Sequence, residues 1–284
     1  MANRKASPVL ATGLALVGFA ANSLLCRAAL GAGSIDAASF TAIRIASGAI
    51  VLFALARGQI SGAGSWASGA ALFGYAAAFS FAYLRLTTAT GALILFACVQ
   101  ATMIGWGVIR GNRPAPLEWL GLAIAAAGLV ALMLPGLAAP DPIGAALMAS
   151  AGVCWGIYSL RGRGATRPLA ATAANFVRAV PFAAALLLAI PFGIDGSSVA
   201  LTLRGAILAI ASGAIASGLG YSLWYAALPA LSPTRAAILQ LTVPVLAAIG
   251  GVVVLGEVVG ARLAGAAAAI LGGVAIALVT KRRS

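Results

Sequence analysis

Histidine is absent from the chain, and acidic residues are nearly so. Each of the five carboxylates falls in a loop or within a turn of a predicted helix end: Asp36, Glu118, Asp141, Asp195 and Glu257. Zinc sites need several His, Cys or carboxylate ligands close together, and general acid–base catalysis needs a positioned titratable side chain. We therefore expect no metal site, no cofactor and no enzymatic activity.

Cysteine is also rare, with three residues at Cys26, Cys98 and Cys154. All three lie inside apolar runs, and their odd number does not suggest a disulfide framework. They are expected to act as small core hydrophobes.

Charged residues make up only 8% of the chain, whereas 62% of its residues are hydrophobic. Soluble domains are about 45–50% apolar, and a membrane-spanning helix needs about 20 mostly apolar residues. Such segments recur along the whole chain and predict an all-α polytopic membrane protein of ten transmembrane helices. The predicted spans are 7–27, 36–56, 66–84, 88–109, 116–135, 142–160, 169–192, 204–227, 232–255 and 261–280.

The formal net charge is +13, which in a soluble chain would suggest a nucleic-acid partner. In a membrane protein the distribution of Lys and Arg over the loops is the informative quantity, because cytoplasmic loops are enriched in them. With a cytoplasmic N-terminus, eleven of the eighteen Lys and Arg fall on the cytoplasmic side, four fall outside and three lie within spans. We predict cytoplasmic N- and C-termini, a lipid bilayer as the surroundings and no nucleic-acid partner.

The two halves of the chain match each other at nearly constant offsets. An offset of 134 aligns Gly18, Arg27 and Arg44 with Gly152, Arg161 and Arg178, and an offset of 144 aligns 89–100 with 233–244. The pattern predicts two five-helix repeats, residues 1–138 and 139–284. Because five is odd, the second repeat enters the membrane from the opposite side. Such inverted repeats are characteristic of secondary transporters, which bind substrate near the midplane.

The duplicated five-helix unit, with Pro244 followed by Gly256-Glu257, resembles the drug/metabolite transporter (DMT) superfamily, EamA type. Within it the chain is similar to YddG-type exporters of aromatic and neutral amino acids in bacterial inner membranes. The resemblance implies amino-acid substrates and export by alternating access. The first half departs from the pattern, with Gln100 where proline is expected and Asn112-Arg113 near the place of Gly-Glu. This departure favours an asymmetric substrate site.

Polar and aromatic side chains within the apolar spans are the candidate substrate-binding residues. An amide facing lipid is costly, and aromatic residues four apart share one helix face. Aromatic residues near helix ends also form interfacial belts, and that alternative stays open. The candidates are Asn22, Tyr75, Phe79, Gln100, Trp155, Tyr158, Tyr221, Trp224 and Gln240.

Arg44 and Arg178 occupy matching positions inside predicted spans. A guanidinium near the midplane costs at least about 3 kcal/mol unless it faces the bundle interior or water. One interpretation is a counter-charge for a substrate carboxylate, and the other is a structural charge that binds helix ends or carbonyls. The occurrence of the arginine in both halves favours the structural role.

Three further features concern helix packing and kinking. Pro244 lies inside a predicted span, where it would kink the helix, and it is the candidate hinge. Small residues recur in the fifth and tenth spans, where they allow close helix contact. These residues are Gly121, Ala125 and Gly128 in one span and Gly265, Ala269 and Gly272 in the other.

The predicted function is export of aromatic and other neutral amino acids by alternating access. Proton-coupled carriers usually place a titratable side chain inside the membrane, and no carboxylate or histidine lies in the middle of a predicted span. Facilitated diffusion by a monomer is therefore expected. The alternatives are a carrier for another small metabolite or drug, including a proton-coupled one, and a channel-like or receptor protein.

Overall fold

A computed structural model describes residues 7–111, 114–134, 136, 139–163, 165–188, 200–231, 236 and 239–280. Most of these residues are helical. Among them, Ile35 and Leu201 form an isolated antiparallel β-bridge. Asn112, Arg113, Asp195 and Arg235 lie outside the described residues.

The helices follow the predicted spans closely along most of the chain. They are α1 (Pro8–Leu30), α2 (Ala37–Leu55), α3 (Trp66–Tyr83), α4 (Thr88–Ile109), α5 (Pro116–Met133), α6 (Pro142–Gly162), α7 (Pro168–Leu187), α8 (Leu203–Ala227), α9 (Thr242–Leu255) and α10 (Ala261–Thr280). Within α8, Ala211–Leu219 forms a π-helix.

Eight of the described helices are long and apolar enough to cross a membrane, namely α1, α2, α4–α8 and α10. Helix α3 falls outside this set because Trp, Tyr and Ser residues lower the hydropathy of its 18 residues. Helix α9 is apolar but has only 14 residues. Large apolar side chains cover the outer surface, including Val253, which is 77% exposed. An apolar exterior of this kind suits lipid, and the protein is an integral membrane protein.

Two predicted spans differ from the described helices. The span predicted at 232–255 is interrupted, because Leu239 and Gln240 are helical, Leu241 forms a turn and α9 begins at Thr242. Pro244 therefore lies in the first turn of α9, where proline is tolerated, and it does not divide a helix as the sequence predicted. Helix α7 ends at Leu187 and Leu188 forms a turn, whereas residues 189–192 of the predicted span lie outside the described residues.

Helices α5 and α10 pack mainly against each other. A Cβ added at Gly121 would approach the Gly273 carbonyl oxygen at 2.5 Å, and one at Gly128 would approach Ala269 Cβ at 2.8 Å. Close backbone approach explains the glycines in α5. In α10 the prediction for Gly265 and Gly272 was wrong, because both face open space. The face of α10 that contacts α5 lies one residue further along the helix than predicted. Gly273, rather than Gly272, makes the close contact with Gly121 and Ala125.

The remaining helices form a central bundle. Helix α1 packs against α8 and α9, α6 packs against α3 and α4, and α2 packs against α7. Helix α2 also contacts α8 along its π-helical part, and α3 contacts α7. Contacts between α1–α5 and α6–α10 thus surround the centre of the bundle.

Candidate substrate cavity

A small cavity lies in the bundle between the two halves of the chain. Its volume is about 30 Å³, which is room for one or two water molecules. A ligand larger than water would therefore need the helices to separate. The cavity is lined by Phe19, Asn22, Ser23, Tyr75, Phe79, Leu95, Phe96, Trp155, Tyr221 and Gln240.

Trp155 of α6 is the centre of an aromatic wall. Its ring lies 4.8 Å from the Tyr75 ring and 5.3 Å from the Tyr221 ring, centroid to centroid, and the planes of Trp155 and Tyr221 differ by 23°. Phe79 continues the wall at 5.4 Å from Tyr75. Offset-stacked and tilted ring pairs are the favoured aromatic geometries. The wall joins α3 of the first half to α6 and α8 of the second.

Asn22 of α1 is bound by two serines from the π-helical part of α8. Ser212 Oγ donates to Asn22 Oδ1 at 2.7 Å, and Asn22 Nδ2 donates to Ser217 Oγ at 3.1 Å. A π-helix forms i→i+5 hydrogen bonds, and its wider turn brings these serines, five residues apart, onto the face next to α1. The buried amide therefore ties α1 to α8 at the edge of the cavity.

Glycine is required where α2 passes the same π-helix. A Cβ at Gly213 would overlap the Arg44 carbonyl oxygen and Ser47 Oγ, and a Cβ at Gly48 would lie 3.1 Å from the Gly213 carbonyl oxygen. The backbones of α2 and of the π-helix are therefore in direct contact next to Arg44.

Arg44 lies directly behind the aromatic wall and is only 2% exposed. Its Nη2 donates to the Tyr75 hydroxyl at 2.9 Å. Its guanidinium carbon lies 5.2 Å from the Tyr75 ring centroid and 4.9 Å from that of Phe79, which is within the range of cation–π attraction. Its Nη1 is buried without a hydrogen-bond partner, and the ion pairs found among the described residues do not include Arg44.

Arg178 occupies different surroundings, although it matches Arg44 in the sequence. Its Nη1 donates to the carbonyl oxygens of Ala63 at 2.9 Å and Ala174 at 3.2 Å. Ala63 belongs to the loop between α2 and α3. The side chain therefore fastens that loop to α7 at one end of the bundle.

Other polar side chains of the second half hold the same loop and the start of α3. Asn175 Oδ1 accepts from the Ser65 backbone N–H at 2.9 Å, and Arg161 Nε donates to Ser68 Oγ at 3.1 Å. Arg167 Nη2 donates to the Ser61 carbonyl oxygen at 2.7 Å. We call this group of contacts the arginine seal, formed by Ser61, Ala63, Ser65, Ser68, Arg161, Arg167, Asn175 and Arg178.

A second group of contacts, the Glu257 seal, comprises Arg27, Tyr83, Thr88 and Glu257. The Glu257 carboxylate accepts from the Thr88 backbone N–H at 2.9 Å and from Thr88 Oγ1 at 3.2 Å. It also lies 3.5 Å from Arg27 Nε, and Arg27 Nη1 donates to the Tyr83 carbonyl oxygen at 2.9 Å. Thr88 opens α4, so the carboxylate binds a helix N-terminus that has free N–H groups and a positive dipole end.

The predicted substrate residues divide into two groups. Six lie on the cavity wall, namely Asn22, Tyr75, Phe79, Trp155, Tyr221 and Gln240. The other three do not line it. Tyr158 stacks on Trp155 at 5.3 Å, Trp224 packs against Phe19 at 5.7 Å, and Gln100 is buried elsewhere on α4.

Sequence reasoning did not select Phe19, Leu95 or Phe96, which also line the cavity. For Phe19 a signal existed, because it stands three residues before Asn22 and therefore on the same helix face. For Leu95 and Phe96 no comparable signal exists, since both lie in an uninterrupted apolar stretch of α4, residues 91–99.

These features define a polytopic helical membrane protein whose two halves meet around a small aromatic cavity. Residues 142–279 form a domain of the EamA-like transporter family, whose model they match. The chain is 49% identical over 279 residues to the uncharacterized protein PA1977 of Pseudomonas aeruginosa, covering 96% of this chain and 95% of that protein. It is also similar in fold to a protein crystal structure with a TM-score of 0.66 and 23% identity, covering 98% of this chain and 99% of that one.

Proposed function

We propose that this EamA-family transporter exports aromatic and other neutral amino acids by alternating access. The observation that carries the proposal is the small aromatic cavity where the two halves of the chain meet, together with two seals that each join the first half to the second. Breaking one seal at a time would open the cavity to one side of the membrane and then to the other.

The pattern of helix contacts supports an inverted repeat of residues 1–138 and 139–284 within ten transmembrane helices. An inverted repeat pairs each helix of the first half with the helix five places later in the second half, so α1 corresponds to α6, α3 to α8 and α4 to α9. Under this correspondence the α1–α8 and α1–α9 contacts become the α6–α3 and α6–α4 contacts, and both sets are present. The α2–α7 and α5–α10 contacts convert into themselves. Such a two-fold exchange is the relation between repeats that rocking of one repeat against the other requires.

The lining of the cavity supports a substrate with a planar or apolar side chain. Tyr75, Trp155 and Tyr221 offer ring faces, and Gln240 offers an amide. Transporter and ligand sites of this kind combine mostly apolar walls with a few polar groups that fix orientation. Aromatic amino acids fit both parts of this lining once the helices separate.

The charged residues support facilitated diffusion and a cytoplasmic location for both termini. Titratable carboxylates do not line the cavity among the described residues, so a proton-loading side chain is not evident there. The arginine seal contains three basic residues, which favours the cytoplasmic side for this end of the bundle. We therefore propose that the Glu257 seal faces the outside. The Pseudomonas relative supports a bacterial inner membrane as the location, and we take the transporter to be a monomer.

Counterflow in proteoliposomes tests this proposal. Vesicles preloaded with one unlabelled amino acid should take up labelled phenylalanine transiently, with rates that saturate, and a panel of all twenty amino acids should define the range. Protein-free vesicles are the control. A folded protein that gives no counterflow with any amino acid would contradict the amino-acid assignment, and uptake that does not saturate would indicate a channel.

A further inference from the structure

Arg44 carries a buried positive charge whose hydrogen-bonding capacity is incompletely used. A buried charge is stable when it is paired and hydrogen-bonded, yet Nη1 has no partner and the guanidinium lies over the rings of Tyr75 and Phe79. The cation–π contacts and one hydrogen bond compensate part of the desolvation. An anion in the cavity would supply the counter-charge that the described part of the protein leaves out.

The contrast with Arg178 indicates that a structural role does not account for Arg44. Arg178 binds backbone carbonyl groups of the α2–α3 loop and of its own helix, as expected for a side chain that locks a fold. Arg44 instead donates to the hydroxyl of Tyr75, a residue of the cavity wall. Of the two matched arginines, only Arg44 is coupled to the cavity.

The Tyr75 hydroxyl connects Arg44 to the substrate space. Because its oxygen accepts the Arg44 bond, its own proton remains available to another acceptor. A hydroxyl that accepts from a cation is polarised, and chains of hydrogen bonds strengthen one another. Tyr75 lines the cavity, so a carboxylate is the acceptor that such a donor would bind most strongly.

The described carboxylates of the protein are all engaged at helix N-termini and away from the cavity wall. Asp36 caps α2, Glu118 lies in the first turn of α5, Asp141 caps α6 and Glu257 binds the start of α4. A substrate ammonium group in the cavity would therefore meet rings and amides but none of these acids. The site therefore offers a nearby positive charge, on Arg44, and no nearby carboxylate among the described residues, so it favours the carboxylate of an amino acid over its ammonium group.

We infer that the cavity recognises its substrate through the carboxylate, which binds the Tyr75 hydroxyl supported by the Arg44 charge, and that the amino group contributes little. This inference rests on the proposed amino-acid transport and names the part of the substrate that determines binding. It extends the substrate class to aromatic carboxylates that lack an amino group.

Three compounds with the same phenyl ring separate the contributions of the two charges. L-Phenylalanine carries both charges, 3-phenylpropanoate carries only the carboxylate and phenethylamine carries only the ammonium group. Each is used as a competitor of labelled phenylalanine counterflow in proteoliposomes of the full chain. We expect 3-phenylpropanoate to compete as well as phenylalanine, and phenethylamine to be about 10- to 100-fold weaker, as is typical for loss of one charged hydrogen bond.

Tyr75→Phe removes the hydroxyl and keeps the ring. It should weaken competition by phenylalanine and 3-phenylpropanoate about tenfold or more and leave phenethylamine unchanged. Tyr225→Phe removes a hydroxyl from a tyrosine of α8 that does not line the cavity, and it should change none of the three. Arg44→Lys keeps the charge but changes its shape and should give an intermediate loss for the two carboxylates, provided that thermal unfolding shows a folded protein.

The outcomes distinguish this inference from the proposed function. If phenethylamine competes as well as phenylalanine, or if Tyr75→Phe weakens all three compounds equally, carboxylate recognition is wrong and amino-acid transport stands. If phenylalanine itself is not transported by the folded protein, the aromatic amino-acid assignment fails and this inference fails with it.

Discussion

The Glu257 seal offers a direct perturbation of alternating access. Glu257→Gln keeps one oxygen that can accept from the Thr88 N–H but removes the negative charge. Hydrogen bonds to charged groups contribute about 1.5–3 kcal/mol and neutral ones about 1 kcal/mol. The Arg27 and Glu257 side chains are 26% and 11% exposed, so the pair itself adds no more than about 1 kcal/mol. We expect the closed state of the end that carries the Glu257 seal to lose about 1–2 kcal/mol of stability, which raises the population open at that end about 5- to 30-fold.

Cysteine labelling measures this population. Ser23→Cys places a thiol on the cavity wall in a background where Cys26, Cys98 and Cys154 are replaced by Ala, and a membrane-impermeant maleimide is added to right-side-out vesicles. The labelling rate should rise about 5- to 30-fold with Glu257→Gln, because it follows the open population.

Asp141→Asn is the matched control for this experiment. It removes the Arg85–Asp141 pair, 3.5 Å apart and more exposed, while asparagine still caps α6. It should leave the rate nearly unchanged. An unchanged rate with Glu257→Gln in a normally folded protein would refute the gating role of the seal.

Three further predictions concern the cavity, the π-helix and energy coupling. Trp155→Ala should abolish most counterflow with nearly normal yield, whereas Trp224→Ala, which lies off the cavity wall, should mainly lower stability by about 3–5 kcal/mol. Equal loss of yield in both would contradict this distinction. Gly213→Ala should lower the unfolding temperature in detergent because its Cβ overlaps α2, and Gly13→Ala, which meets nothing, should not. Finally, an imposed pH gradient should not drive uptake above the external concentration, and accumulation that an uncoupler abolishes would show proton coupling.

The helices were predictable because a bilayer requires long apolar segments with internally paired backbones. The predicted helix boundaries were wrong where tertiary contacts determine where a helix begins or ends. The turn at Leu241 lies within an apolar run, and no sequence signal other than Pro244 marked an irregularity there. The π-helix of α8 was equally unpredictable, since it arises from contacts of Ser212, Gly213 and Ser217 with α1 and α2.

The cavity wall was partly predictable for a related reason. Polar and aromatic residues such as Asn22, Tyr75 and Trp155 are costly or bulky in an apolar span, so they mark the inner faces of helices. The composition of a helix does not determine which of its faces points toward the cavity. For this reason the sequence did not predict that Trp224 lies off the cavity wall and that Phe96 lies on it. The contrast between Arg44 and Arg178 was hidden as well, because the sequence makes them equivalent and only their neighbours distinguish them.

Distances between spin labels at the two ends of the bundle test alternating access most directly. One pair, Ala32 and Val258, reports on the end with the Glu257 seal, and a second pair, Gln59 and Arg163, reports on the end with the arginine seal. With saturating phenylalanine, or with Glu257→Gln, the Ala32–Val258 distance should gain a longer population while the Gln59–Arg163 distance stays short. Simultaneous lengthening of both distances, or no response of either to substrate in a folded protein, would contradict the account.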